Sequence, residues 1–130
     1  MEFSSQRFAD VIVVAPVGRI DHSTADALQL RLEPLLVAAA GMGGAIVLDL
    51  ANVEYVSSVG LRVVMMAAKH LKARKARIAA AALQPVVREI FEIARFNHVV
   101  ELFPSLGDAL KELSEPARAA YDAGAGSTVP

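Results

Sequence analysis

Cysteine is absent from this chain of 130 residues, and its three histidines are His22, His70 and His98. Without thiolates the protein cannot form disulfide bonds or cysteine-ligated metal sites. The histidines lie far apart in the sequence and lack the paired spacing that zinc ligands usually show. We therefore predict that the chain binds no metal ion and needs no cofactor.

An excess of charge and long apolar runs are also missing. Thirteen basic and 14 acidic residues give a net charge of −1, without the pervasive basic face that nucleic-acid binding requires. No apolar run approaches the ~20 residues of a membrane span. The N-terminal residues lack the basic and apolar regions of a secretory signal. The sequence thus predicts a cytoplasmic protein that neither inserts into membranes nor binds nucleic acid directly.

Catalytic motifs are missing as well. A serine hydrolase places its nucleophile in a Gly-x-Ser-x-Gly elbow, whereas the chain around Ser58 reads Val-Ser-Ser-Val-Gly. The glycine-rich segment at residues 41–44 precedes a strand, whereas a phosphate-binding loop follows a strand and opens a helix. We therefore interpret this segment as a turn and predict that the protein is not an enzyme.

The most strongly patterned segment of the chain is residues 45–75. Residues 45–50 (AIVLDL) form an aliphatic run typical of a strand buried on both faces. Residues 51–54 are turn-like, and an apolar pattern of helical period begins after Ser57 and Ser58. The two hydroxyls therefore stand at a helix N-terminus, where unpaired N–H groups and the helix dipole favour an anion.

Strands and helices alternate along the rest of the chain. Further strands are predicted at residues 3–8, 11–17, 77–83 and 99–103, and further helices at about 25–40, from 85 onward and at 106–113. Such alternation predicts an α/β fold with a single mixed or mostly parallel sheet of four or five strands and about four helices. Residues 1–114 form the predicted domain. Because Ala, Gly, Ser and Pro dominate from residue 115, we expect a flexible C-terminal tail at 115–130.

The two serines cannot both serve the helix in the same way. Only one residue can be the N-cap, which leaves the other hydroxyl without that structural role. Gly60 follows within the first helical turn, where it costs about 1 kcal/mol relative to Ala and lets another backbone approach closely. Arg62 lies one turn beyond Ser58, where it could reach a phosphate or simply face solvent.

The first half of this helix is apolar on nearly all sides. The predicted core stripe is Leu61, Val64, Met65, Ala68 and Leu71. Off that stripe lie Val59, Val63, Met66 and Ala67. A helix that is apolar on all sides is either deeply buried or presents a face to a partner. Full burial is difficult in a small domain with a single sheet. We therefore predict a partner surface beside the serines. The basic residues at 69–77 are interpreted as a solvated helix end.

The segment VLDLANVEYVSSVGLRVVMMAAKHLKARKARI resembles the core signature of STAS domains, and specifically the stand-alone bacterial anti-sigma factor antagonists. The resemblance extends over residues 11–113. It includes the Gly-Arg-Ile-Asp turn at residues 18–21, the late helix with Phe91 and Phe96, and the Leu-Phe-Pro segment at residues 102–104. It implies a STAS-like fold and a protein that regulates transcription through partner switching.

In that family the serine of an Asp-Ser-x-Gly motif is phosphorylated by a partner that is both an anti-sigma factor and an ATP-dependent serine kinase. The unphosphorylated antagonist binds this partner and frees the sigma factor, and a PP2C-type phosphatase restores it. The motif maps onto residues 57–60, which makes Ser58 the implied phosphoacceptor. Ser57 replaces the Asp of the motif and is a rival acceptor. The predicted partner-binding residues are Ser57, Val59, Gly60, Arg62, Val63 and Met66.

Two alternatives stay open at this point. A non-phosphorylated STAS scaffold, in a lipid-transport ABC system or a signalling assembly, would keep the fold and the apolar helix without a phosphate cycle. The second hydroxyl at the motif favours the phosphorylation switch, whereas the missing Asp favours the scaffold. A nucleotide-binding module at the same helix end would also use an anion-friendly site, but no glycine-rich loop follows the strand.

Overall fold

A computed structural model describes residues 1–129 as eight strands, five α-helices and a 3-10 turn at Phe96–His98. The strands are β1 (Phe3–Phe8), β2 (Val11–Pro16), β3 (Gly18–Ile20), β4 (Ala45–Asp49), β5 (Val53–Val56), β6 (Arg77–Ala81), β7 (Glu101–Phe103) and β8 (Ser127–Thr128). The helices are α1 (Ala25–Gly41), α2 (Ser58–Ala73), α3 (Pro85–Ile93), α4 (Leu106–Leu113) and α5 (Glu115–Asp122).

The main sheet has six strands in the order β7-β6-β4-β2-β1-β8. Its four strands from β7 to β2 are parallel to their neighbours, whereas β1 is antiparallel to both β2 and β8. The predicted α/β class with a mostly parallel sheet is therefore confirmed. The strand number is higher than expected because β8 was not predicted, and because β3 and β5 form a separate two-stranded parallel ladder.

Helices cover both faces of the main sheet. Side chains of β2 alternate, so that Ile12 and Val14 join the core beneath α1 and α2, while Val11 and Val13 face α4 and α5. Burial on both faces explains why β2 and β4 read as continuous aliphatic runs rather than alternating ones. Among residues 1–129, none of the helices combines the length and the apolar character that a membrane crossing requires.

Helix α1 contains a proline within its length. A proline in a helix interior can divide the helix, yet α1 runs as one helix from Ala25 to Gly41 with Pro34 inside it. Pro34 lies on the exposed side of the helix, and so does Leu30, the residue four positions before it. The carbonyl that loses its N–H partner is therefore on the solvent side, where water can satisfy it.

The C-terminal segment differs from the expected flexible tail. Residues 115–122 form α5, and β8 then pairs with the free edge of β1. The Ser114 hydroxyl donates to Asp10 Oδ1 at 2.6 Å and also caps α5, while Tyr121 packs edge-to-face on Phe8 at 5.6 Å between ring centroids. The alanine-rich composition gave no apolar pattern of helical period, because a residue as small as Ala117 can be fully buried without a large side chain. The segment is held by partners more than 100 residues away, which local patterns do not reveal.

Candidate functional site

The two serines lie where the small β3–β5 ladder meets the N-terminus of α2. Strand β5 ends at Val56, opposite Ile20 of β3, and α2 begins two residues later. The backbone N–H of Ser57 donates to the carbonyl of Ile20 at 2.8 Å, which fixes the chain as it turns into the helix. The ladder thus holds the start of α2 in one position relative to the β3–α1 loop.

Ser57 is the N-cap of α2. Its hydroxyl oxygen accepts a hydrogen bond from the backbone N–H of Gly60 at 3.2 Å, and its carbonyl accepts the first helical bond from Leu61 at 2.8 Å. Ser58 is the first helical residue; it is exposed, and within residues 1–129 its hydroxyl has no hydrogen-bond partner. The surplus hydroxyl is therefore that of Ser58. It lies beside the first N–H groups of the helix, which have no carbonyl partner within the helix.

Gly60 is required by a close contact between α2 and β3. A Cβ atom at this position would lie 2.7 Å from the carbonyl oxygen of Ile20, 2.8 Å from its Cγ2 and 3.0 Å from Cγ1 of Val56. The backbone that approaches Gly60, as its place in the first helical turn predicts, is that of β3. The same contact buries Gly60, so this residue positions Ser57 and Ser58 and does not itself face a partner.

The exposed side of α2 next to the serines is narrower than predicted. Ser58, Arg62 and Met66 follow one another at four-residue spacing and are all exposed, and we call this row the Ser58 stripe. Val59 and Ser57 beside it are half-buried. No acidic residue occupies the first turn of α2, so the stripe begins with an unneutralised positive helix end.

The prediction that Val63 belongs to a partner surface is wrong for the protein in this conformation. Val63 is only 5% exposed and Ala67 2%, because both pack against α1 beside Leu32 and Leu36. Helices α1 and α2 lie side by side on one face of the main sheet, so α1 covers this side of α2 while the side that carries the Ser58 stripe remains exposed. Met65, which was placed in the core, is half-buried.

The β3–α1 loop adds residues that the sequence analysis did not assign to the site. Arg19 lies over the Tyr55 ring at 4.4 Å, and its Nε is 3.5 Å from Asp21 Oδ2. The hydroxyl and then the backbone N–H of Ser23 hydrogen-bond Asp21 and hold the pKa of its carboxyl below the ordinary value. This loop follows Ile20 directly, and its Asp21 carboxylate is paired with Arg19 and Ser23. Strands of three and four residues carry too little periodicity to be found from sequence.

The remaining candidate side chains do not converge on a metal or catalytic centre. His22 lies in the exposed β3–α1 loop, His70 faces α1, and His98 is in the 3-10 turn near β7. Within residues 1–129 no group of three or more His, Asp or Glu side chains is placed to hold a metal ion. The chemistry available at the start of α2 is therefore that of one exposed hydroxyl, a helix N-terminus and Arg62.

The different roles of the two serines lead to a stability prediction. We expect Ser57→Ala to lower the free energy of unfolding by about 1 kcal/mol, because the Gly60 N–H loses its capping oxygen. Ser58→Ala is the matched control and should change it by less than about 0.5 kcal/mol. Urea denaturation followed by circular dichroism measures both. Equal destabilisation by the two substitutions would contradict the assignment of Ser57 as the cap.

Residues 2–109 match the STAS domain family. In addition, the chain is 32% identical over 105 residues to BtrV of Bordetella bronchiseptica, which is named as a provisional anti-sigma factor antagonist. The alignment covers 80% of this chain and 84% of BtrV. The chain therefore belongs to the STAS domain family, as its resemblance to the family's core signature implied.

Solved structures agree with this assignment. An anti-sigma factor antagonist from Mycobacterium paratuberculosis superposes with a TM-score of 0.72 and 27% identity, over 86% of this chain and 94% of the other. The phosphorylated form of SpoIIAA, a Bacillus cell fate determinant, superposes with a TM-score of 0.66 and 15% identity, over 85% and 98% of the two chains. At that identity the second comparison establishes the shared fold alone.

Proposed function

We propose that this protein is an anti-sigma factor antagonist whose partner is an anti-sigma factor with serine kinase activity. In its unphosphorylated form it binds the kinase through the Ser58 stripe and so releases the sigma factor. The kinase then transfers the γ-phosphoryl group of ATP to the Ser58 hydroxyl, and the phosphorylated antagonist dissociates. A PP2C-type phosphatase hydrolyses the phosphate ester and restores the binding form. The protein itself acts by binding and is not an enzyme.

The single observation that carries this proposal is the state of the Ser58 hydroxyl. It is exposed and free of hydrogen bonds within residues 1–129, whereas the Ser57 hydroxyl is engaged in the cap. A kinase can therefore reach Ser58 without disturbing the helix, while modification of Ser57 would break the bond to Gly60. This difference favours Ser58 over Ser57 as the phosphoacceptor.

The replacement of the family's Asp by Ser57 is compatible with this mechanism. Asp and Ser are both strong N-cap residues, so Ser57 preserves the helix start while removing one negative charge. With no acid in the first turn of α2, a phosphate on Ser58 would lie at the positive end of the helix dipole and one turn before Arg62. These groups stabilise a dianion, and the fold should therefore tolerate it.

Three further features support the proposal. The relatives BtrV and the Mycobacterium protein are named as anti-sigma factor antagonists, the former provisionally. A protein of the same fold, SpoIIAA, has been solved in a phosphorylated form. Met66, 40% exposed, ends the Ser58 stripe with a flexible apolar side chain of the kind that adapts to a partner surface.

Phosphorylation can be tested by incubating the protein with ATP and each anti-sigma factor kinase of the same organism, followed by intact-mass and peptide mass spectrometry. We expect a gain of one phosphate on Ser58. The gain should disappear in Ser58→Ala and persist in Ser57→Ala. Phosphate on Ser57 alone would contradict the assignment of the acceptor. A stable complex that forms with no phosphate on either serine would favour the scaffold function instead.

A further inference from the structure

A pocket lies beside the C-terminal part of α2, away from the serines. It has a volume of about 400 Å³ and is bounded by the C-terminal half of α2, by β6 and by the 3-10 turn before β7. Its apolar wall includes Met65, Ala68 and Ile78. At a rise of 1.5 Å per residue, Lys72 lies about 21 Å from Ser58 along the axis of α2. No residue of the Ser58 stripe lines the pocket, which is therefore distinct from that stripe.

Basic side chains surround this pocket. Lys69 and Lys72 of α2, Arg77 at the start of β6 and His98 of the 3-10 turn all line it. The one acidic residue among the lining side chains is Glu101, and its Oε1 is already 2.7 Å from Nη2 of Arg77. Within residues 1–129 neither lysine has an acidic partner. The positive charges of Lys69 and Lys72 at the pocket are therefore not neutralised by an ion pair.

The basic residues at 69–77, predicted to form one solvated helix end, have different surroundings in the structure. Lys69 and Lys72 are three residues apart on α2 and so share a face, which is the one toward β6. Arg74 turns back to donate to the carbonyl of His70 at 3.1 Å, and it does not line the pocket. Lys75 also lies outside it. The positive charge over the pocket is therefore a feature of particular side chains and not of the helix end as a whole.

We propose that this pocket binds a small organic anion with a flat apolar body, of the aromatic carboxylate class. The volume is within the range of about 300–1,000 Å³ that small-molecule sites occupy. The wall of Met65, Ala68 and Ile78 would cover an aromatic ring, whereas an inorganic anion would gain nothing from it. Lys69 and Lys72 would donate charge-assisted hydrogen bonds to the carboxylate. The site is independent of phosphorylation at Ser58.

The test uses the full-length ¹⁵N-labelled protein and 2-naphthoate as the probe, followed by two-dimensional NMR. We expect saturable shifts of the amides of Lys69, Lys72, Ile78 and Val99. Lys69→Gln combined with Lys72→Gln should weaken binding by about fivefold or more, since two exposed ion pairs are lost. Arg74→Gln combined with Lys75→Gln is the matched control, because it removes the same charge from outside the pocket, and it should bind as the parent does.

Four results would overturn the proposal. The first is the absence of saturable shifts, or shifts centred instead on the groove between α1 and α2 that Leu36, Val63 and Met66 line. The second is equal weakening by the two double variants, which would mean non-specific attraction to a basic surface. The third is equal affinity for the neutral analogue 2-naphthamide. The fourth is tighter binding of a hexaglutamate peptide at the same amides, which would identify an acidic protein segment as the occupant.

Discussion

Phosphorylation of Ser58 is expected to weaken the binding of this protein to the proposed anti-sigma factor kinase by at least about 100-fold, because an uncompensated charge buried in an interface costs several kcal/mol. The phosphate adds about −1.5 to −2 charges at pH 7. It would stand at the head of the Ser58 stripe, beside the half-buried Val59 and above Met66. Docking of that surface would require the dianion to lose its water without gaining a partner beyond those it already has in α2.

The fold should not change in the same experiment. The helix N-terminus and Arg62 stabilise negative charge at Ser58, so the far-ultraviolet circular dichroism spectrum and the melting temperature should be retained or slightly improved. Isothermal titration calorimetry with unmodified, phosphorylated and Ser58→Ala protein measures the binding. Ser58→Ala should bind as the unmodified protein does. A phosphorylated protein that binds with unchanged affinity, or that unfolds, would contradict this expectation.

Gly60→Ala is expected to lower the free energy of unfolding by about 2 kcal/mol, within the range for overpacked sites. In an unobstructed helix this substitution would stabilise the protein by about 1 kcal/mol, so the contact with β3 determines the sign of the effect. The added methyl group would lie 2.7 Å from the Ile20 carbonyl oxygen, which also accepts the Ser57 N–H. Because backbone atoms must move, the start of α2 and with it Ser58 should be displaced.

Gly41→Ala provides the matched control for this substitution. Gly41 is the last residue of α1, has an ordinary φ and would place its Cβ in open space. It should therefore leave stability unchanged or raise it by about 0.4–1 kcal/mol. Differential scanning calorimetry and kinase binding should separate the two variants, since only Gly60→Ala loses both stability and affinity. A Gly60→Ala protein as stable as the parent would show that the β3–α2 contact does not constrain the site.

The centre of the site could be predicted from the sequence because its determinants are local. The aliphatic run of β4, the cap at Ser57 and the helical period of α2 all lie within about 30 consecutive residues. A capping serine and its helix are linked by hydrogen bonds three residues apart, which is the range that sequence patterns describe. The same rule predicts that one of the two serines has a surplus hydroxyl, and the structure assigns it to Ser58.

The rest of the site depends on contacts between distant segments, which no local pattern contains. Val63 was assigned to a free surface because its own helix gives no sign that α1 covers it. Strands β3 and β5 are too short to show a period, although together they fix the backbone at Ser57. Likewise, α5 and β8 are held by Asp10, Phe8 and the edge of β1, so the composition of the C-terminal segment alone suggested a tail.

The measurement that tests partner switching most directly starts from a complex of fluorescently labelled sigma factor with the proposed anti-sigma factor kinase. This protein is added, and release of the sigma factor is followed by fluorescence anisotropy. Without ATP we expect release. With ATP, release should be transient, because Ser58 becomes phosphorylated and the kinase binds the sigma factor again. Ser58→Ala protein should sustain release under both conditions. Failure of the unmodified protein to release the sigma factor, or a time course that ATP does not change, would contradict the account.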